Sequence, residues 1–173
     1  GYDKMSQLFT LDLPNKEIKV GLFESLLPYY LEGMYAEEGD VAIAQMSVLI
    51  RQGDMDGALR LLQEFLGTVP YCNNTNYEGH YQQVLFIIFT LLTHFVVDVE
   101  VHTPNGRVDV VMETEDTLYL IELKLNKSAQ AAMQQINLKQ YDQRFARCGK
   151  PIVKVGVNFD AKKGNIEDWT IEP

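Results

Sequence analysis

Three ionisable side chains stand in stretches that otherwise read as apolar strands. Asp109 lies within Gly106-Arg107-Val108-Asp109-Val110-Val111, and Glu122 and Lys124 lie within Tyr119-Leu120-Ile121-Glu122-Leu123-Lys124. Side chains of a strand alternate between its two faces. Glu122 and Lys124 therefore share one face, while Ile121, Leu123 and Leu125 turn to the other, toward a core. The polar run Glu113-Thr114-Glu115-Asp116 reads as the loop of a hairpin that brings Asp109 level with Glu122. Two carboxylates and an ammonium then meet in one patch. Carboxylate oxygens suit a hard divalent cation such as Mg²⁺ or Mn²⁺, which keeps its other positions for water and substrate phosphates. The lysine suits orienting a water or stabilising charge on a phosphate. Each residue also has a plain structural reading. Asp109 faces solvent by alternation, Glu122 is a surface partner of Lys124, and Lys124 covers apolar surface with its stem. Against that reading, an acid buried among valines without a partner is costly.

The elements that must position these residues are legible as periodicities. Residues 1–70 read as a small all-α region. Asn15 can cap a helix that carries Val20, Phe23, Leu26, Leu27, Tyr30 and Leu31 at helical spacing. Val41 to Ile50 makes a second helix, Gly53-Asp54 a break and cap, and Leu59, Leu62, Phe65 and Leu66 mark a third. Its acids are spread rather than clustered, so this region reads as a packing or connecting module whose apolar faces meet a region upstream. A polar boundary, Pro70-Tyr71-Cys72-Asn73-Asn74-Thr75-Asn76, precedes a helix with Tyr81, Val84, Leu85, Ile88, Leu91 and Leu92 on its apolar side. Period-two segments follow over 95–102, 107–112 and 118–125, the first two joined by Pro104-Asn105-Gly106. A helix is expected over 128–145 with Ala129, Ala132, Met133, Ile136 and Tyr141 on its apolar side, a buried strand over 152–158 and a short edge strand over 169–171. The order is α-β-β-β-α-β, and the last helix and strand can form a parallel crossover.

Composition bounds the partners. At 173 residues the chain can bury a real core in one or two small domains. No apolar run reaches the length of a membrane span, and no signal peptide is visible, which points to a cytoplasmic protein. Cys72 and Cys148 make neither a disulfide framework nor a zinc site and read as reduced thiols. The chain opens Gly1-Tyr2 without a methionine, as expected of a piece cut from a longer protein. A net charge of −9 argues against simple phosphate binding. Residues 123–163 nevertheless hold 9 basic and 2 acidic side chains, directly after Glu122. That segment reads either as a basic groove beside an acidic centre or as a solvated face with scattered charges. His94 and His102 lack a useful partner and read as structural, and Trp169 as a cover over the core.

Asp109 with Glu122-x-Lys124 resembles the core of the PD-(D/E)XK nuclease superfamily. The blocks Gly-Arg-Val-Asp, Ile-Glu-Leu-Lys-Leu, Gln-Gln-Ile-Asn-Leu-Lys-Gln-Tyr (134–141), Lys-Pro-Ile-Val-Lys-Val-Gly-Val-Asn-Phe-Asp (150–160) and Asn-Ile-Glu-Asp-Trp (165–169) resemble one branch, the nuclease-like C-terminal domain of Bacteroidetes-type AAA-ATPase-like proteins. Leu-Asp-Leu-Pro-Asn-Lys-Glu-Ile (11–18) looks like the segment that follows the ATPase core. The resemblance implies an α/β fold with a restriction-endonuclease-like core over 71–173, preceded by a helical connector over 1–70. It implies metal-dependent hydrolysis of a nucleic-acid phosphodiester, with DNA as the default substrate. Asp109 and Glu122 would hold Mg²⁺ or Mn²⁺, joined by Glu78 from the preceding helix. Lys124 would serve the attacking water or the phosphate, and Gln135, or its neighbour Gln134, would touch phosphate or water. Arg107, Lys127 and Lys139 would contact nucleic acid. Related sequences carry a Tyr-His pair where this chain has Tyr81-Gln82. The rival expectations are a nuclease fold without chemistry that binds nucleic acid or protein, and an interaction protein whose acidic helical half docks an ATPase.

Overall fold

The segment Leu118–Leu125 is apolar at both parities except for Glu122 and Lys124, so a strand made from it must be covered on both faces. The computed structural model describes residues 36–68 and 96–173 without a break, together with 2–3, 8–9, 18, 21–22, 25 and 88. Its elements are β1 (Tyr2–Asp3), β2 (Leu8–Phe9), α1 (Ala36–Arg51), α2 (Met55–Thr68), β3 (Val96–Thr103), β4 (Gly106–Glu113), β5 (Leu118–Leu125), α3 (Ala129–Lys139), α4 (Asp142–Phe145), β6 (Ile152–Asp160) and β7 (Asn165–Glu172). Strands β3 to β7 form one mixed sheet in sequence order, which makes β5 its central strand. β3–β4, β4–β5 and β6–β7 are antiparallel, and β5–β6 are parallel, joined through α3 and α4. The α/β expectation of a helical region followed by a mixed sheet is met. β1 and β2 form a separate two-stranded pair.

Two layers cover the sheet. On one face, α1 and α2 bring Met46, Ile50, Leu59, Leu62 and Phe65 against Val110, Met112, Tyr119, Ile121, Leu123, Val155 and Val157. The apolar faces of these helices, expected to meet an upstream region, are closed by the sheet instead. Period 3.6 shows that a helix has an apolar face but not which surface covers it. Asp54 caps α2 by accepting the Gly57 amide at 2.8 Å. The helix is tied to β7 by the Trp169 indole, which donates to Asp56 Oδ1 at 2.8 Å, and by Gln63 Nε2, which donates to the Ile166 carbonyl at 2.7 Å. On the other face, Met133, Ile136 and Tyr141 pack on Val108, Val111, Leu118 and Leu120.

Two element boundaries differ from expectation. The helix foreseen over 128–145 stops at Lys139, because Gln140 turns left-handed at φ 50°. The apolar stripe Ala129, Ala132, Met133, Ile136 would continue onto Lys139 and Gln140. The break instead puts Tyr141 into the core, 1% exposed. The Tyr141 amide reaches back to the Ile136 carbonyl at 3.4 Å, the closing bond of a Schellman-type cap. The edge strand foreseen over 169–171 runs from Asn165 to Glu172, since it follows β6 from Lys154↔Glu172 to Asp160↔Asn165. The expected helix over 15–31 lies mostly outside the described residues, where Ile18, Gly21, Leu22 and Ser25 are helical. Of the expected helix after residue 76, only Ile88 is described, helical and fully buried.

Helix α3 rests directly on β6 at Gly156. A Cβ at that position would come 2.5 Å from the Ala129 carbonyl oxygen and 2.9 Å from the Met133 amide nitrogen. Both obstacles are backbone, so neither can rotate away. Gly156→Ala should therefore push the helix off the sheet and cost about 1–3 kcal/mol, as overpacking does. Urea unfolding of the variant against wild type measures this.

Candidate active site

Strands β4 and β5 pair from Glu113↔Leu118 to Val110↔Ile121. One further step would set Asp109 opposite Glu122, but the ladder ends before it. There Asp109 Oδ2 accepts the Leu123 amide at 2.9 Å, so a side chain replaces a backbone partner. The carboxylate is thereby held against the central strand between Glu122 and Lys124 in sequence.

Glu122 is 1% exposed and Lys124 8%, because the central strand is covered on both faces. This corrects the surface reading of Glu122. The Lys124 ammonium donates to Glu122 Oε1 at 3.0 Å and to the Leu123 carbonyl at 2.9 Å. From α3, Gln135 Nε2 donates to the same Glu122 Oε1 and, at 3.3 Å, to the Tyr141 hydroxyl. Both donors thus use one oxygen. Glu122 Oε2 is buried and has no hydrogen-bond partner among the described residues. Burial, reinforced by the charge of Asp109, raises the Glu122 carboxyl to about 7, against the pull of Lys124.

Donor chemistry fits a hard cation. A buried carboxylate oxygen without a hydrogen bond, beside a second carboxylate that raises its pKa, is relieved by a bound divalent ion. Asp109 and Glu122 supply that pair. No cluster of three or more His, Cys, Asp or Glu side chains placed to hold a metal occurs among the described residues. Glu78, the expected third carboxylate, lies outside them, as do His80, Tyr81, Gln82, His94 and Cys72. His102 is exposed on β3, and Cys148 is a free, exposed thiol.

The structure brings Asp109, Glu122, Lys124 and Gln135 together and leaves the expected nucleic-acid contacts outside this network. Gln134 is exposed on α3, so of the two adjacent glutamines it is Gln135 that reaches Glu122. Arg107 is half-exposed and pairs with Glu100 at 3.2 Å. Lys127 and Lys139 are exposed. Of the basic segment 123–163, Lys150 pairs with Glu113, Lys154 with Asp142, and Lys163 with Asp160 and Glu167. Asp142 and Asp160 belong to the segment itself, so of its excess positive charge Lys150 and Lys163 meet acids from outside it, Glu113 and Glu167.

Two residues of the site escaped sequence reasoning as site residues. Tyr141 read as one more apolar-face residue, and its sequence signal is only an aromatic just past the polar end of a helix. Asn158 is fully buried on β6, level with Lys124. It accepts the Lys127 amide at 2.9 Å and donates to Glu167 at 3.0 Å, anchoring the turn between β5 and α3. A polar residue inside the apolar run 152–159 was its signal. Ser128 caps α3 by accepting the Ala131 amide, and Asp168 accepts the Ala129 amide at 3.1 Å. The helix that delivers Gln135 is thus fixed at its start by β6 and β7.

The α/β sheet converges two carboxylates and a lysine where the pairing of two adjacent strands stops. A family model of the PD-(D/E)XK nuclease superfamily matches residues 76–169, and the chain belongs to that superfamily. Its members generally use divalent metal ions. The chain is also similar to an uncharacterized protein in the vnfD 5′ region of Azotobacter chroococcum mcd 1. The two are 31% identical over 173 aligned residues, which cover 95% of this chain and 33% of that protein. The chain thus spans about a third of that relative's length.

The raised Glu122 carboxyl has a measurable consequence. Its folded value of about 7 exceeds the ordinary 4.5, so between these the folded chain holds more protons than the unfolded chain. Stability of the metal-free protein should therefore fall as pH rises through that window, and level off above it. Glu122→Gln should lack this loss. Urea unfolding in EDTA across the window, compared between wild type and variant, checks the sign, and a constant difference would contradict it.

Proposed function

We propose that this domain is a metal-dependent nuclease that hydrolyses phosphodiester bonds of nucleic acid, with DNA as the preferred class. The observation that carries the reading is Glu122, buried on the central strand with one oxygen bonded to Lys124 and Gln135 and the other unbonded beside Asp109. Asp109 and Glu122 would hold Mg²⁺ or Mn²⁺, with Glu78 as a further ligand. When bound, such an ion supplies Lewis-acid polarisation of the phosphate and lowers the pKa of water. Lys124 is fixed by Glu122 and the Leu123 carbonyl, and its positive charge is placed to stabilise charge developing on the phosphate. Gln135 orients the Glu122 carboxylate through Oε1, which leaves Oε2 directed elsewhere. Arg107, Lys127 and Lys139 would contact the backbone phosphates that flank the scissile one.

We take the nuclease unit as residues 71–173 and residues 1–70 as a helical connector to an ATPase-like region, on the resemblance of 11–18. That the chain covers only 33% of its A. chroococcum relative is in keeping with a larger multidomain protein. Among the described residues no helix is long and apolar enough to cross a membrane.

Cleavage of single-stranded DNA, duplex DNA and RNA with Mg²⁺ or Mn²⁺ tests the reading. EDTA should abolish cleavage. Lys124→Ala and Asp109→Asn should each lower it by at least about a hundredfold while circular dichroism stays native. Metal binding followed by calorimetry should vanish in Asp109→Asn. A wild type that binds metal and nucleic acid but never cuts would turn the assignment to a binding module with a nuclease fold.

A further inference from the structure

Glu100 is the one described strand residue other than glycine with a left-handed backbone, φ 52°. Such a conformation is unfavourable for any residue with a Cβ. The side chain gives little in return, since its ion pair with Arg107 is half exposed on both sides and weak in water. The surrounding strands must therefore impose it.

Its place in the ladder is informative. β3 and β4 pair at Val99↔Val110 and at Val101↔Val108, and the intervening Glu100 and Asp109 are the one position skipped. The faces change at that same step. Val97, Val110 and Met112 lie in the core under α1 and α2. Val101 and Val108, of equal parity, lie in the core under α3. Simple alternation would keep all five on one side. The hairpin formed by the ends of β3 and β4 is therefore turned over at Glu100 and Asp109. On the other edge of β4, the pairing with β5 ends at Val110, one residue before Asp109. Both registers thus pass over Asp109 at the level where Glu100 turns left-handed.

We propose that Glu100 is a positioning residue. Its left-handed backbone turns the β3–β4 hairpin over and sets the Asp109 carboxylate against the Leu123 amide beside Glu122. The role assumes the reading of Asp109 as a metal-binding carboxylate, but the geometry it controls can be measured without metal. The controlling property is backbone φ, not charge. Glycine and asparagine accept that φ, alanine accepts it less well, and a β-branched residue resists it.

The test compares Glu100→Gly, Glu100→Asn, Glu100→Ala and Glu100→Val in the full chain. The first readout is hydrogen exchange of the Leu123 amide by NMR, and the second is Mn²⁺ affinity by calorimetry. Gly and Asn should keep both within about twofold of wild type. Val should speed Leu123 exchange and weaken Mn²⁺ binding by about tenfold or more, with Ala between. Gly and Ala remove the same side-chain charge, so their difference isolates the backbone even if Val does not fold. Equal Leu123 exchange in the Gly and Ala variants would overturn the proposal. If the wild type binds no Mn²⁺ yet Leu123 exchange follows the series, the nuclease reading falls and the positioning role stands.

Discussion

A carboxylate on the central strand of a covered sheet cannot be left to itself. Glu122 is withdrawn from water on both faces of the sheet, and its charge there is tolerated only with nearby donors. Lys124 and Gln135 meet that need at one oxygen. The pair is unequal to the burial, because the carboxyl still sits near 7 rather than in the ordinary range. The remaining cost sits on the second oxygen, next to another acid. A protein selected for stability alone would place a leucine there. On the proposed function, the acid is retained as half of a cation site in which binding energy offsets the desolvation.

Much of the rest of the structure serves that one residue. α3 must lie close enough for Gln135 to reach β5, and this requires a glycine at 156 on the strand beneath. The start of the helix is fixed by Ser128, Asp168 and Asn158, drawn from three different segments. Its end is fixed by the left-handed Gln140, which lets Tyr141 enter the core and meet Gln135 with its hydroxyl. On the opposite face, α1 and α2 seal the sheet and make the strand beneath Glu122 a buried one.

Asp109 is managed in the opposite manner. Where Glu122 is compensated by donors brought to it, Asp109 meets the Leu123 amide where the register of the sheet is interrupted. Both ladders that flank it are broken at its position, and its oxygen takes over an amide that the ladder leaves unpaired. The exchange keeps the Leu123 amide satisfied, which explains how a sheet interior tolerates the interruption.

Local periodicity carried most of the architecture. The alternation in 107–112 and 118–125, the 3.6-residue repeats of 41–66 and the polar turns between them were enough to place every strand of the sheet and to put Asp109, Glu122 and Lys124 on neighbouring strands. Residue type added the chemistry, since two acids and a lysine inside apolar strands have few structural uses. What the chain alone could not supply were quantities that depend on packing partners. Burial of Glu122 follows from the α3 layer over its face of the sheet, and alternation marks only a face, not what covers it. The left-handed turns at Glu100 and Gln140 arise because distant strands and the packing of Tyr141 in the core select them against local preference. The choice of Gln135 over Gln134, and the use of Asn158 as an anchor, rest on one-residue differences in direction. Only the rotation of a helix on a sheet decides those.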